Sequence, residues 1–455
     1  MTPDLRGQRY SVVGLARSGV AAANALARLG ADVLASDQKS ADQAHELSRT
    51  LDTRIQVAFG GNRVRPGDTV VMSPGVPPTA AVFAEAQTHG CRIISEIQLF
   101  QELRPDAPIL AVTGTDGKST TTSWLGAMAA RERPTFVGGN IGIPLTAAVF
   151  DLAPGQLVVA EVSNAQLMTA PAFHPRVAVI TNIAPEHLDY HGSFEAYVAA
   201  KHMILENLGR GDAVLLRRES PILSTWRAPE GARTLWFTRG ELPPGEEGLF
   251  VRDGVIHVRL SHSETALLAV SALALPGQHN LENAMAAAGA ALVFGIDPEA
   301  VIHVLQHFVG LEHRLERVKT ARGAAWYNDS KATNPHAAMA GFTAFSTPFI
   351  CIAGGSSKGA DFGEWADRVA QACKHVIVNG ATREKMAKLL NGRVPLTVVD
   401  TLAEAVAAAH ALAKESDVVV LSPACASFDQ FRDFEHRGRT FKALVEGLAS
   451  ASAPG

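Results

Sequence analysis

The apolar run Ile109-Leu110-Ala111-Val112 leads directly into Thr113-Gly114-Thr115-Asp116-Gly117-Lys118-Ser119-Thr120, and a helix-like segment follows. A strand that turns through glycines into a helix is the unit of a parallel α/β sheet, and it leaves free backbone N–H groups at the head of the helix. Glycines let those N–H groups face a phosphate, Lys118 supplies a point charge, and the Ser119 hydroxyl can hold a magnesium ion. These are the parts of an ATP site. The spacing here is G-x-x-G-K-S, shorter than the general G-x-x-x-x-G-K-[ST]. A Gly-Lys-Ser turn on the surface is the alternative, and the position between a strand-like and a helix-like run favours phosphate.

The chain has 455 residues, enough for about three domains of roughly 150 residues each. A hydrophobic fraction of 47% with 19% charged residues is that of a globular protein. The net charge of −4 leaves no basic excess for nucleic acid or an anionic membrane. Cys91, Cys351, Cys373 and Cys425 lack C-x-x-C spacing, so we expect reduced thiols that hold no metal. No basic-plus-apolar leader is evident and no apolar run approaches the ~18 residues of a spanning helix, so a cytoplasmic chain without membrane insertion, and a monomer, are expected.

Strand-like and helix-like runs alternate at 10–13, 20–29, 33–36 and 69–72, the rhythm of a parallel sheet. After the polar, proline-bearing stretch 101–108 the rhythm restarts at Ile109, with further apolar runs at 157–160 and 177–180. Residues 219–263 are rich in Pro, Gly and charge and predict short antiparallel strands and loops. Helix-like runs at 281–293 and 298–308 precede a third rhythm, with strands expected at 325–327, 349–353, 375–378 and 418–421. The expected fold is therefore α/β in three domains: 1–105 and 310–455 Rossmann-like, and 106–309 a P-loop ATPase-type sheet.

Several residues stand where such sheets carry ligands, at or just past strand ends. The turn Gly14-Leu15-Ala16-Arg17-Ser18-Gly19 resembles a dinucleotide fingerprint with Ala16 in place of the middle glycine, and on its own fits a ligand-free turn equally well. Asp37 ends the next strand and can accept from a ribose or base edge, and Ser73-Pro74-Gly75 can present backbone donors in the same cleft. Glu161 and His187 can complete a magnesium shell beside the phosphate loop. Lys201 sits on a helix among small residues, where a lysine is ordinarily an exposed charge. Arg314, Lys331 and Lys358 can clamp anionic groups.

In order along the chain, the loop 113–120, the stretch 182–189, Gly277-Gln278-His279-Asn280-Leu281-Glu282-Asn283, His313-Arg314 and Asn328-Asp329-Ser330-Lys331-Ala332-Thr333-Asn334 resemble the motifs of the Mur ligases. These are ATP-dependent, amide-forming enzymes of bacterial peptidoglycan synthesis. The stretches 328–334 and 421–431 are most similar to the branch that adds D-glutamate to UDP-N-acetylmuramoyl-L-alanine. The resemblance implies that Gly114, Thr115, Asp116, Gly117, Lys118, Ser119, Thr120, Asn283, Arg314 and Asp329 bind ATP. It implies two magnesium ions, with Ser119 on one and Glu161 and His187 on the other, and a CO2-derived carbamate on Lys201 that aids metal binding. Gly14, Ser18, Asp37, Gln38, Ser73, Pro74, Gly75, Asn140, Ser163 and Gln166 match positions facing the UDP substrate. Lys331, Thr333, Lys358, Ser427, Phe428 and Phe434 match the D-glutamate site. Gln38-Lys39 stand where Thr-Arg often follows the matching aspartate, and Asn164-Ala165 where Ser-Phe is common.

The implied reaction is phosphorylation of the substrate carboxylate by ATP, then attack of the D-glutamate amine on the acyl phosphate, with Lys118, Lys201, His187 and Glu161 as the catalytic set. Ligands divided among three domains imply closure during turnover. The rival readings are a related ligase for another amino acid or a folate acceptor, an NAD-dependent oxidoreductase built on the turn 14–19, and a noncatalytic ATP-driven switch.

Overall fold

The computed structural model describes residues 3–42, 50–186, 188–261, 263–275, 277–357 and 359–448, the side chains of Leu188 and Asp189 apart. The chain divides into two compact units, Met1–Phe308 and Val309–Gly455. Among the described residues, no helix is long and apolar enough to cross a membrane.

The first unit holds two sheets. In the first, β1 (Arg9–Val13), β2 (Asp32–Asp37), β3 (Gln56–Phe59), β4 (Thr69–Met72) and β5 (Arg92–Ser95) run parallel in the order β3-β2-β1-β4-β5. The order reverses between β1 and β4, and in open parallel sheets this switch point opens a crevice at the strands' carboxyl ends. The turn from Gly14 and the residues Ser73 to Gly75 leave the sheet at that crevice.

The second sheet comprises β6 (Ile109–Thr113), β7 (Thr135–Gly139), β8 (Leu157–Glu161), β9 (Val177–Ile180), β10 (Ala213–Arg217), β11 (Arg233–Thr238), β12 (Gly248–Arg252), β13 (Val255–Leu260) and β14 (Ser263–Ala269). Its order is β14-β13-β12-β11-β10-β9-β6-β8-β7. Strands β6, β8 and β9 are buried on both faces, which is why they read as continuous apolar runs rather than alternating ones. The helices Lys118–Ala130 and Gln278–Phe294 pack on one face, the second through Ala284, Ala287, Ala288 and Ala291, whose small side chains allow close approach. The stretch expected to be irregular is corrected in one respect. β11 and β12 extend the sheet in parallel, and only β13 runs against its neighbours, antiparallel to both β12 and β14. Leu235, Trp236, Phe237, Leu249 and Phe250 are all buried, and that burial outweighs the Pro- and Gly-rich loops between them.

The second unit has one sheet: β15 (Glu316–Ala321), β16 (Ala324–Asn328), β17 (Phe349–Gly354), β18 (Cys373–Asn379), β19 (Leu396–Val398) and β20 (Val418–Leu421), in the order β15-β16-β20-β17-β18-β19. Only β15 with β16 is antiparallel. Along β17, Phe349, Cys351 and Ala353 enter one core while Ile350 and Ile352 enter the other, the period-two alternation of a strand covered on both faces.

The helix Glu96–Leu103, which follows the last strand of the first sheet, grips a segment of the second sheet's layer at both ends. At its start, Glu96 Oε1 accepts from Thr146 N (2.6 Å) and Thr146 Oγ1 (2.8 Å), satisfying a donor of the short helix Leu145–Ala148 that Pro144 leaves uncapped. Just past its end, Arg104 donates to the carbonyls of Val149, Leu152 and Ala153 at 2.8–2.9 Å. Glu96 is fully buried and its Oε2 has no hydrogen-bond partner. Burial, opposed by the bonds from residues 145 and 146, raises its pKa from 4.5 to about 7.

A carboxyl whose pKa is higher folded than unfolded favours the protonated folded state, so its contribution to stability is present below pH 4.5 and is lost as pH rises towards 7. Unfolding free energy measured by denaturant titration should fall by on the order of 3 kcal/mol across that window through this group. Glu96→Gln should remove that part of the slope, and an unchanged slope would refute the assignment.

Candidate active site

The phosphate loop leaves β6 and closes at Lys118, the first residue of its helix. Two glycines make its path possible. Gly114 has φ +144, and a Cβ there would lie 1.9 Å from Thr181 Oγ1; Gly117 has φ +78, and a Cβ there would lie 2.2 Å from Asn283 Oδ1. Both the backbone conformation and the packing therefore exclude a side chain. The loop is braced from β9's end: Asp116 N donates to Asn182 Oδ1 (2.8 Å), while Thr181 Oγ1 (2.6 Å) and Asn182 Nδ2 (3.1 Å) donate to Asp116 O. Thr115 Oγ1 is bonded to the Tyr197 hydroxyl at 2.8 Å and accepts from Ala184 N at 3.0 Å. Ser119 is buried in the helix's first turn, with Thr120 next to it, and Asn283 is buried against Gly117.

Two ammonium groups meet on one oxygen at the centre of this loop. Lys118 Nζ donates to Gly114 O at 3.0 Å and to Thr115 O at 2.6 Å; Lys201 Nζ donates to Gly114 O at 2.7 Å. Lys201 is 1% exposed and its ammonium lies 4.7 Å from the Tyr197 ring centre. This corrects the expectation of an exposed charge. Tyr197, Ala200 and Lys201 form the buried side of that helix, while Ala199 is exposed. Burial first, and the charge of Lys118 second, lower the Lys201 pKa from 10.5 to about 7, against the opposing pull of Glu186 and Asp116. An amine so placed is partly neutral, and therefore nucleophilic, at neutral pH.

Glu161 is the last residue of β8 and is buried. Its Oε1 accepts from Asn140 Nδ2 at 2.8 Å, and its Oε2 has no hydrogen-bond partner. A buried carboxylate oxygen left open in this way suits a cation. Ser163 and Gln166 form a capping box at the head of the helix Asn164–Leu167, so these two side chains brace the turn that follows Glu161. In the first sheet, Asp37 turns back to accept from Leu15 N (2.7 Å) and Lys39 N (2.9 Å). Its carboxylate thus braces the turn that contains Gly14 and Ser18, with Gln38 exposed beside it. Ser73, Val76, Phe83, Met168 and Tyr190 line a cavity of about 60 Å³ between the two sheets of this unit, and the Tyr190 hydroxyl donates to Val76 O at 3.2 Å. Of the positions 73–75 and 163–166, Ser73 and Ala165 line this cavity. His187 and Lys358 lie outside the described residues.

The second unit gathers its candidates around the ends of β16 and β20. Asp329 accepts from Ser422 Oγ (3.0 Å) and Leu315 N (3.3 Å). Burial raises its pKa from 3.8 to about 7, although these bonds and the charges of Arg314 and Arg437 oppose the shift. Lys331 Nζ lies 5.5 Å from the Phe434 ring centre, and Lys331 O accepts from Thr333 N at 2.8 Å. Ser427 is buried while Phe428 is 71% exposed. Glu312, His313 and Glu316 are the one cluster of three such ligating groups among the described residues. Lys442 Nζ donates to Glu312 Oε1 (2.8 Å) and Glu316 Oε1 (2.6 Å) and so already supplies a cation there. The reading from residues alone missed Arg437, a buried guanidinium between the two loops, and assigned no role to Asn182 or Tyr197. The glycine after Arg437 is the only local sign of its burial: a Cβ at Gly438 would lie 2.2 Å from His313 Nδ1.

A glycine-braced strand-to-helix loop on a mainly parallel sheet, in a chain that carries one more α/β sheet in the same unit and another in the second unit, defines an enzyme built of several α/β modules. Residues 112–291 match the Mur ligase middle domain, and residues 313–425 match the Mur ligase, glutamate ligase domain. The chain belongs to the Mur ligase family. It is 38% identical to the UDP-N-acetylmuramoylalanine–D-glutamate ligase of Thermoanaerobacter pseudethanolicus, across 98% of this chain and 99% of that one. It is 40% identical to the ligase of the same name from Acidobacterium capsulatum, across 99% and 98%. Among solved structures, the UDP-N-acetylmuramate-alanine ligase MurC of Thermotoga maritima shares the fold with a TM-score of 0.60 at 20% identity, covering 97% of this chain and 100% of that one. MurF of Acinetobacter baumannii does so with 0.62 at 18%, covering 96% and 93%.

Gly114→Ala forces a methyl group onto Thr181 and opens the bracing of Asp116. Nucleotide affinity, read by fluorescence titration with a labelled ATP analogue, should fall by roughly 100-fold, the loss of two or three loop contacts. An affinity within about twofold of the parent would show that the loop does not cradle the nucleotide.

Proposed function

We propose that this chain uses ATP to join D-glutamate to UDP-N-acetylmuramoyl-L-alanine in peptidoglycan precursor synthesis. The observation that carries this reading is the identity of 38% and 40%, over nearly the whole of both chains, with ligases named for that reaction. A carboxylate is a poor electrophile, so its oxygen must first be made a leaving group. The substrate carboxylate takes the γ-phosphoryl group of ATP, giving ADP and an acyl phosphate. The uncharged D-glutamate amine attacks the acyl carbon, the C–O bond to phosphate breaks, and the amine loses its proton as the amide forms.

In this reading Gly114 to Thr120 and Asn283 hold the nucleotide, and Arg314 and Asp329 keep the nucleotide role that the resemblance implies. Lys118 exchanges the carbonyls of Gly114 and Thr115 for phosphate oxygens. Ser119, Glu161 and His187 are assigned to magnesium, and the open Oε2 of Glu161 fits that use. Two such ions would offset the charge on the transferring phosphoryl group. Lys201, whose burial and Lys118 neighbour ease the loss of its proton, is suited to take up CO2. A carbamate there would replace two like charges on one carbonyl with an ion pair. The UDP substrate is assigned to Gly14, Ser18, Asp37, Gln38, Ser73 to Gly75, Asn140, Ser163 and Gln166. D-glutamate is assigned to Lys331, Thr333, Lys358, Ser427, Phe428 and Phe434. The corresponding domains are 1–105, 106–309 and 310–455, in a cytoplasmic monomer.

Phosphate release from ATP should require both UDP-N-acetylmuramoyl-L-alanine and D-glutamate, with the amide product identified by mass. Release indifferent to D-glutamate, or faster with another amino acid, a folate acceptor or none, would sink the reading. Lys118→Ala should abolish turnover. Lys201→Ala should lower kcat by roughly 100-fold or more, and added formate or acetate should restore part of it by standing in for the carbamate. Failure of these anions to rescue a folded variant would count against the carbamate.

A further inference from the structure

Arg437, on the helix Phe434–Glu446, is 3% exposed, and among the described residues none of its hydrogen bonds goes to a carboxylate. Its Nε donates to Ser330 Oγ (3.0 Å) and its Nη2 to Ser330 O (2.8 Å). Its Nη1 donates to Cys425 O (3.0 Å) and Ala426 O (3.2 Å). Ser330 Oγ in turn donates to Phe434 O at 2.8 Å. One planar guanidinium therefore fixes three backbone points: the turn after β16, the turn after β20, and the head of its own helix. Ala426 O also accepts from Ser356 N (2.9 Å), which ties in the loop after β17.

We infer that Arg437 is the positioning residue that sets the D-glutamate site, an inference that rests on the reaction proposed above. Lys331 and Thr333 follow Ser330, Ser427 and Phe428 follow Ala426, and Phe434 is the residue whose carbonyl Ser330 holds. None of these residues belongs to the same loop as all the others, so their mutual placement depends on a group that touches each loop. Burying a cation among neutral oxygens is costly, and burial pulls the Arg437 pKa down to about 10. The group stays charged at neutral pH all the same. An ammonium cannot replace it, because a single nitrogen cannot reproduce the fork geometry.

The test is steady-state phosphate release by the full-length protein. Arg437→Lys should raise the KM for D-glutamate by about tenfold or more, while the KM for UDP-N-acetylmuramoyl-L-alanine changes by less than about twofold. Ser330→Ala, which removes the bond from Arg437 Nε and the bond to Phe434 O but leaves the other three bonds of Arg437 in place, should raise the D-glutamate KM by about threefold, and it carries the test if the Arg437 variants fail to fold by circular dichroism. Guanidinium ion at millimolar concentration should restore part of the activity of folded Arg437→Ala. A folded Arg437→Lys or Ser330→Ala protein with the parent KM for D-glutamate, or one whose kinetic constants for all substrates worsen together, overturns the inference. A parent enzyme indifferent to D-glutamate overturns the reaction itself, and is recognised before any variant is made.

Discussion

The carbonyl of Gly114 accepts from two lysines, one at 2.7 Å and one at 3.0 Å, and the chemistry of the first unit follows from that crowding. Two ammonium groups on one oxygen repel each other, and burial weakens the water screening that would relieve them. One of the two must give way. Lys118, at the mouth of the loop, can swing to an anion. Lys201 lies inside the protein and cannot leave; its burial first, and the charge of Lys118 second, make it yield its proton more readily. The loop is in this sense incomplete without negative charge, a physical reason for a site that takes up polyphosphate.

The fold keeps the loop in that state. β6 lies between β8 and β9, so the loop leaves the sheet with Glu161 from one neighbour and Thr181 and Asn182 from the other. Parallel order brings three strand ends to a single edge, where residues far apart in sequence can meet without any of them reaching. The first sheet is attached to this arrangement through the helix Glu96–Leu103, whose flanking acid and base hold the two ends of the segment 145–153. That segment follows the loop containing Asn140, which in turn orients Glu161.

Much of this was legible in the residues. The buried parallel strands are short apolar runs ended by glycine or polar residues, and β4, β9 and β20 begin and end where the runs do. The phosphate loop was readable because its chemistry is local. Three things were not. The parallel course of β11 and β12 depends on which neighbours they find, which no local pattern encodes. The burial of Lys201 depends on what the helix Phe194–His202 packs against; its own mixture of aromatic, small and polar residues suits either side. Arg437 is an arginine in a charged stretch, Phe434-Glu435-His436-Arg437-Gly438-Arg439, and its one local sign, Gly438, adjoins Arg439 equally. Tertiary burial decides each case, and burial of a polar residue is the feature that hydrophobic periodicity reads least well.

Each unit thus contains a buried cation held by uncharged oxygens, and the choice of residue divides their roles. An amine loses its proton at accessible cost, so Lys201 can exist in two forms and can react. A guanidinium does not deprotonate near neutral pH even when burial lowers its pKa, so Arg437 keeps both its charge and its fork of donors. A titratable group suits the point where the charge of a site must change as substrates arrive. A permanently charged, planar one suits the point where three loops must stay in register. Lysine at the phosphate loop and arginine beneath the turns of the second unit are therefore not interchangeable, although both are buried cations that bond to backbone carbonyls.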